Sequence, residues 1–212
     1  MLTLKLSIIL VLLVSFSKGI KIFPTTRQNL IWYKSDNPNT YADYVNELDA
    51  LMLNQQDRKS DWALCTSSNS YGFSLAYTGP CVFLSFPEKL QETPESYNST
   101  TLPADAPGHL RNYIKSLEPR RIRETHNLAY ITCYGAYPLD IENIGPIQFF
   151  RNIFIGILPY SAPTTFTKDV VAVYFEKPMR NIIINVECKI WAKFKTKQDL
   201  DNSVVAFDLL ID

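Results

Sequence analysis

Asn181-Ile182-Ile183-Ile184-Asn185-Val186-Glu187-Cys188-Lys189-Ile190-Trp191-Ala192-Lys193-Phe194 is the stretch on which the fold turns. Ile182, Ile184, Val186, Cys188 and Ile190 alternate with residues that include Asn185, Glu187 and Lys189. Two is the period of a β-strand, whose successive side chains point to opposite faces. The first set therefore lines one face and predicts a strand half-buried against a core. Cys188 belongs to that inward set, where a bridge to another sheet is expected.

The pattern continues on either side. Ser203 to Ile211 alternates Val205, Phe207, Leu209 and Ile211 and reads as a last strand. Val170 to Glu176, ended by Pro178, and Ala129 to Cys133 are two more. Cys81-Val82-Phe83-Leu84-Ser85-Phe86 reads as a strand that stops at Pro87. Ile20 to Pro24 and Asn29 to Tyr33 read as short extended pieces. Several β-runs separated by turn-rich stretches predict a mainly β chain. Its class is an immunoglobulin-like β-sandwich ectodomain with one or two short helices, added early.

One helix is expected after Thr40, which reads as its N-cap with Asp43 three places on. Tyr41, Tyr44, Val45, Leu48, Leu51 and Met52 recur at helical spacing and define a face to bury. The opposite face is acidic (Asp43, Glu47, Asp49), which argues against a membrane-surface helix. A second, short helix carries Leu110, Tyr113, Ile114 and Leu117 on one side. Asn54 to Ser60 is polar and reads as a loop. Glu88 to Pro107, rich in Pro, Ser, Thr and acidic residues, reads as an irregular surface excursion.

Compartment is read from the first residues. Met1 to Gly19 (MLTLKLSIILVLLVSFSKG) has a positive Lys5, an apolar run from Leu6 to Val14, and small residues at Ser15, Ser17 and Gly19. The run is short against the roughly 20 residues of a bilayer span and fits a signal peptide. A short uncleaved signal anchor is the alternative. The expected organisation is thus leader 1–19 and extracellular domain 20–212. The four cysteines permit three pairings. Cys65 and Cys81 flank a short Gly- and Ser-containing stretch, while Cys133 and Cys188 each sit in a strand-like segment. Pairing Cys65 with Cys81 and Cys133 with Cys188 follows. Asn98-Ser99-Thr100, within the surface excursion, is a sequon that makes Asn98 a candidate glycosylation site.

Catalytic signatures do not emerge. Lys+Arg and Asp+Glu both total 21, so a neutral chain gives no charge-based reason to expect nucleic acid. The run Arg120, Arg121, Arg123 reads as a solvated loop. There is no GxSxG, Walker loop, HExxH or Gly-rich dinucleotide turn, and no zinc spacing, so no cofactor or metal is expected. His109 and His126 sit in polar surroundings and read as structural. Asp140 and Glu142 could form an acid–base pair on paper, but a turn and capping role is the stronger reading. Tyr and Phe number 12 each. Most should be core or cross-strand residues, with an exposed subset available to a protein partner.

Taken in order, several segments resemble one family. Ile131-Thr132-Cys133-Tyr134-Gly135, then Pro138 to Gly145 (PLDIENIG), resembles a run in which Cys and Gly precede "P-A-D-x-E-N-I-G". Asn181 to Trp191 resembles "I-x-I-E-C-K-A-W", and Val170-Val171-Ala172-Val173 resembles "L-V-A-V". Tyr71-Gly72-Phe73 with Gly79 to Leu84 resembles "Y-G-Y…P-C-I-F-L-K", and Leu30-Ile31-Trp32-Tyr33 resembles "L-I-W-Y". These are motifs of the beta subunits of the Na,K-ATPase and its H,K-ATPase relatives.

The resemblance implies a type II glycoprotein that catalyses nothing. Such a protein binds the catalytic alpha subunit of a P-type pump, helps it fold and reach the plasma membrane, and tunes its ion affinity. It also implies the pairs Cys65–Cys81 and Cys133–Cys188. Contact with the alpha subunit is expected at Tyr71 and Phe73, and at Pro159 and Tyr160, where Leu158-Pro159-Tyr160-Ser161 stands for a more Tyr-rich family stretch. The family's first disulfide has no counterpart here. The alternative is a secreted or surface-associated adhesion or binding module of the same fold.

Overall fold

In the computed structural model, the strand on which the sequence reading turned is β8 (Ile183–Trp191), near the middle of a five-stranded sheet. The structure describes residues 19–53, 64–85, 94–121, 128–149, 156–159 and 170–212. On β8, Ile184, Val186, Cys188 and Ile190 are buried and Ile183 is exposed, as period two requires. Ile182 precedes the strand and packs, partly buried, against the same core.

β8 pairs antiparallel with β9 (Val204–Ile211) on one side and with β4 (Leu128–Gly135) on the other. β2 (Leu30–Tyr33) joins the free side of β9 in parallel, and β6 (Gly156–Pro159) joins β4 antiparallel. The sheet order is β2-β9-β8-β4-β6. A second sheet of four strands has the order β1-β3-β7-β5, made of β1 (Lys21–Phe23), β3 (Cys81–Ser85), β5 (Ile147–Phe149) and β7 (Val170–Phe175). Both sheets feed one core, with Ile31, Leu209, Val186 and Ile131 from the first and Phe83, Val173 and Phe149 from the second. The architecture is the mainly β sandwich expected from the sequence.

Helix α1 (Ala42–Leu53) lays the face read from its periodicity into that core. Tyr41, Leu48 and Met52 are buried, and Tyr44, Val45 and Leu51 pack against it. Thr40 is not its N-cap. It closes a 3-10 turn (Pro38–Thr40), and its hydroxyl accepts from the Lys34 N–H at 3.0 Å, while the Tyr41 carbonyl accepts the first helical bond from Val45. The Tyr44 hydroxyl donates to the Trp32 carbonyl at 3.2 Å and so covers a backbone acceptor of β2, the strand at the sheet edge.

Among the described residues the remaining α-helices are α2 (Gly108–Arg121), α3 (Pro138–Asn143) and α4 (Lys197–Asp201). Helices are thus not confined to the early chain, and α3 and α4 go beyond the one or two expected. Leu110 and Ile114 of α2 form a second apolar cluster with Leu102, Ala106, Tyr130 and Trp191, which Tyr113 and Leu117 join. Tyr130 and Trp191 are register partners on β4 and β8 and project from the sheet face opposite the sandwich core. Alpha-helix α2 therefore covers one part of that outer face.

Both disulfides are formed, and one has a different geometry from that expected. Cys65 joins Cys81 with Cα atoms 5.7 Å apart. Cys133 joins Cys188, whose inward direction was read correctly, but they are directly opposed partners on neighbouring strands of one sheet, with Cα atoms 4.0 Å apart. The bridge runs along the sheet, not across to the other one. Inward phase is shared by both residues, so it could not distinguish a partner on the next strand from one on the opposite sheet.

Candidate partner-binding surface

The outer face of the five-stranded sheet divides into three zones along its strands. At one end Trp191 and Tyr130 lie under α2. The Trp191 indole N–H donates to the buried Thr132 hydroxyl at 2.8 Å, which meets the need of a buried ring nitrogen for a partner. The middle is polar. Lys189 forms an ion pair with Asp105 at 3.2 Å, and its ammonium stands 4.0 Å from the centre of the Trp191 ring. The Tyr134 hydroxyl donates to Glu187 on the adjacent strand. Burial, and then this carboxylate, hold the Tyr134 hydroxyl well above the usual phenol range.

The other end is apolar and open. Trp32, Leu210 and Ile183 stand in one row across β2, β9 and β8. Their chain neighbours Ile31, Tyr33, Leu209, Ile211 and Ile184 point into the core, so this row faces outward. Next to it lies α3, whose Leu139 and Ile141, with Tyr137 just before the helix, are each more than half exposed. Met179, bonded through its backbone N–H to the Asn143 carbonyl at 2.8 Å, and Ile183 are also more than half exposed. Exposed apolar side chains gathered in this way are a feature of protein-binding surfaces.

One carboxylate fixes α3 in place. Asp140 is 4 % exposed, and its two oxygens serve two elements. Oδ2 accepts from the Tyr137 backbone N–H at 3.0 Å, capping the helix whose first residue is Pro138. Oδ1 accepts from the Asn185 backbone N–H at 3.0 Å, tying the helix to β8. Gly135 allows the close approach, because a Cβ there would lie 2.3 Å from the Asp140 carbonyl carbon. Asp140 thus has the capping role read from the sequence, while Glu142 is exposed. Leu139 and Ile141 point outward because Asp140 points in. No single segment of the chain announces this surface, although Pro138 followed by Asp140 at the third helical position is a start signal that locates the helix.

The residues expected to contact a partner are placed differently. Tyr71 is 1 % and Phe73 0 % exposed. Phe73 packs among Tyr33, Tyr41 and Tyr44, with ring centres 4.8, 6.0 and 5.6 Å away, and Tyr71 meets Phe83 edge-on at 5.8 Å. Core aromatics of this kind offer no outer surface to a protein partner, so Tyr71 and Phe73 are corrected to packing residues. Pro159 ends β6, opposite Leu128 on β4, and Tyr160 lies outside the described residues. Asn98 is exposed in a turn. Its side-chain oxygen accepts from the Thr100 hydroxyl at 2.9 Å and the Thr101 N–H at 2.8 Å. His126 and Arg123 also lie outside the described residues. Among the described residues no group of three or more His, Cys, Asp or Glu is arranged to hold a metal ion.

A sequence profile described as Sodium / potassium ATPase beta chain matches residues 56–207. The chain belongs to this beta chain family. It is 32 % identical over 219 residues to the sodium/potassium-transporting ATPase subunit beta-2 of Drosophila melanogaster, covering 86 % of this chain and 66 % of that one. Identity to the Drosophila melanogaster subunit beta-1 is 27 % over 131 residues, which is 61 % of this chain and 40 % of the relative. A probable subunit beta-3 from Caenorhabditis briggsae is 25 % identical over 154 residues, 71 % of this chain and 42 % of its own. The beta-family segments quoted from the sequence fall on β2, β3, β4, α3, β7 and β8. Among the described residues no helix is long and apolar enough to cross a membrane.

Proposed function

We propose that this chain is a non-catalytic beta subunit of a sodium/potassium-transporting P-type ATPase. It assists folding, trafficking and ion transport by the catalytic alpha subunit and acts on the extracellular side of the secretory pathway and plasma membrane. The observation that carries this reading is the family match over residues 56–207, which includes strands of both sheets. The open apolar end of the outer face, with α3 beside it, supports a role in holding another protein. An exposed Asn98 in its turn supports N-glycosylation there.

Co-expression with an alpha subunit followed by affinity capture tests the assignment. The expected result is a stable pair that raises alpha-subunit abundance at the cell surface. Failure to co-purify under conditions that retain an ordinary beta subunit overturns it. Glycosidase digestion of the wild type and of Asn98→Gln tests the modification, which predicts a mobility shift in the first and none at this site in the second.

A further inference from the structure

Ser70, Tyr71 and Gly72 have successive positive φ values of 51°, 52° and 85°. Left-handed backbone is uncommon outside glycine and persists where the surroundings over-determine it, which is often at a binding site. Several contacts hold this segment. The Cys65–Cys81 bridge closes its ends, the Asn69 amide donates to the Leu64 carbonyl at 2.7 Å, and the Tyr71 N–H donates to the Thr66 carbonyl at 2.9 Å. A Cβ at Gly72 would lie 2.6 Å from the Gly79 carbonyl oxygen, so the turn is pressed against the next loop.

The outcome is a side chain aimed across to another element. The Tyr71 hydroxyl donates to Asp49 Oδ1 on α1 at 2.7 Å. Burial, and then the bond to Asp49, push the Tyr71 hydroxyl well up, so it stays a donor throughout the physiological range. Between α1 and the turn lies a cavity of about 330 Å³, lined by Asp49, Met52 and Leu53 on one side and by Cys65, Ser67 and Tyr71 on the other. That volume is within the range of small-molecule sites, roughly 300–1,000 Å³. Met52, Leu53 and the disulfide give apolar walls, and among the described lining residues Asp49 alone is charged.

We propose that this cavity binds a small organic ammonium ion, with its apolar body against Met52, Leu53 and the Cys65–Cys81 bridge and its cation on Asp49. Tyr71 holds Oδ1, orienting the carboxylate so that Oδ2 meets the ligand. A carboxylate in an apolar cavity discriminates for charge, because an uncharged ligand leaves it without a counter-ion. The site is separate from the α3 surface and stands whether or not the chain assembles with a pump.

The test uses the purified full chain and two probes of matched shape, phenethylammonium and 2-phenylethanol, titrated by calorimetry and ligand-observed NMR. The ammonium should bind saturably and at least tenfold more tightly than the alcohol. Asp49→Asn should remove that preference with an unchanged circular dichroism spectrum. Leu53→Lys, which brings a tethered cation to a position 63 % exposed, should abolish ammonium binding. Equal binding of the two probes, an undiminished response in Leu53→Lys, or no saturable binding to the wild type at millimolar concentration overturns the proposal. Should Asp49→Asn fail to fold, the probe comparison and Leu53→Lys decide the matter without it.

Discussion

The two faces of the five-stranded sheet are built on different rules. The inner face is uniform. Ile31, Tyr33, Phe207, Leu209, Val186, Cys188 and Ile131 all pass into one core, and each is chosen by strand phase alone. The outer face is a patchwork of a helix-covered end, a polar middle and an open end, each decided by elements distant in the chain. The inner face makes the fold, and the outer face is where a fold shared by many proteins acquires a particular use.

Substitutions on the two faces should therefore differ in kind. Leu209→Ala, at a fully buried inner position, should cost about 2–5 kcal/mol in chemical denaturation. A loss under 1 kcal/mol would show that the inner face relaxes around cavities. Cys133→Ser removes the bridge within the same face and should cost about 2–4 kcal/mol, read as a lower Tm and reduced secretion. An unchanged Tm would mean that strand pairing alone suffices there.

Changes in α3, beside the open end of the outer face, should be smaller and more local. Asp140→Ala takes the cap from α3 and an acceptor from the Asn185 N–H, for about 1–3 kcal/mol. Hydrogen exchange should rise at Tyr137 and Asn185 before it rises in β9, and a uniform rise would erase the distinction between the faces. Leu139→Ser should move stability by no more than about 0.5 kcal/mol, since its side chain is exposed. It should nonetheless weaken capture of an alpha subunit, and full retention would remove α3 from the interaction surface.

The same division explains what could be read from the sequence. Alternation in β8 and β9 and the helical spacing from Tyr41 to Met52 are local patterns, and each found its face. The partner of Cys188 required knowing which strand lies beside β8, a fact of topology that phase does not contain. Tyr71 and Phe73 read as surface candidates because aromatic residues suit interfaces and cores alike. Only the convergence of Tyr33, Tyr41, Tyr44 and Phe83 on them decides for the core. The short strands β5 and β6 and the helices α3 and α4 have too few residues to establish a period. Thr40 offered a credible cap, but its hydroxyl is engaged by Lys34 in the preceding turn.

The parallel alignment of β2 with β9 sets Leu30 beside Asp208 and Tyr33 beside Ile211. A ribosome makes the first of these strands long before the second, so β2 has no strand to pair with until β9 is made. The sheet closes on this side only once β9 has been made, and contacts so remote in sequence are slow to find. Until then only the segments that follow directly can shelter β2, through the Tyr44 bond to the Trp32 carbonyl and the packing of Tyr41 and Phe73 on Tyr33.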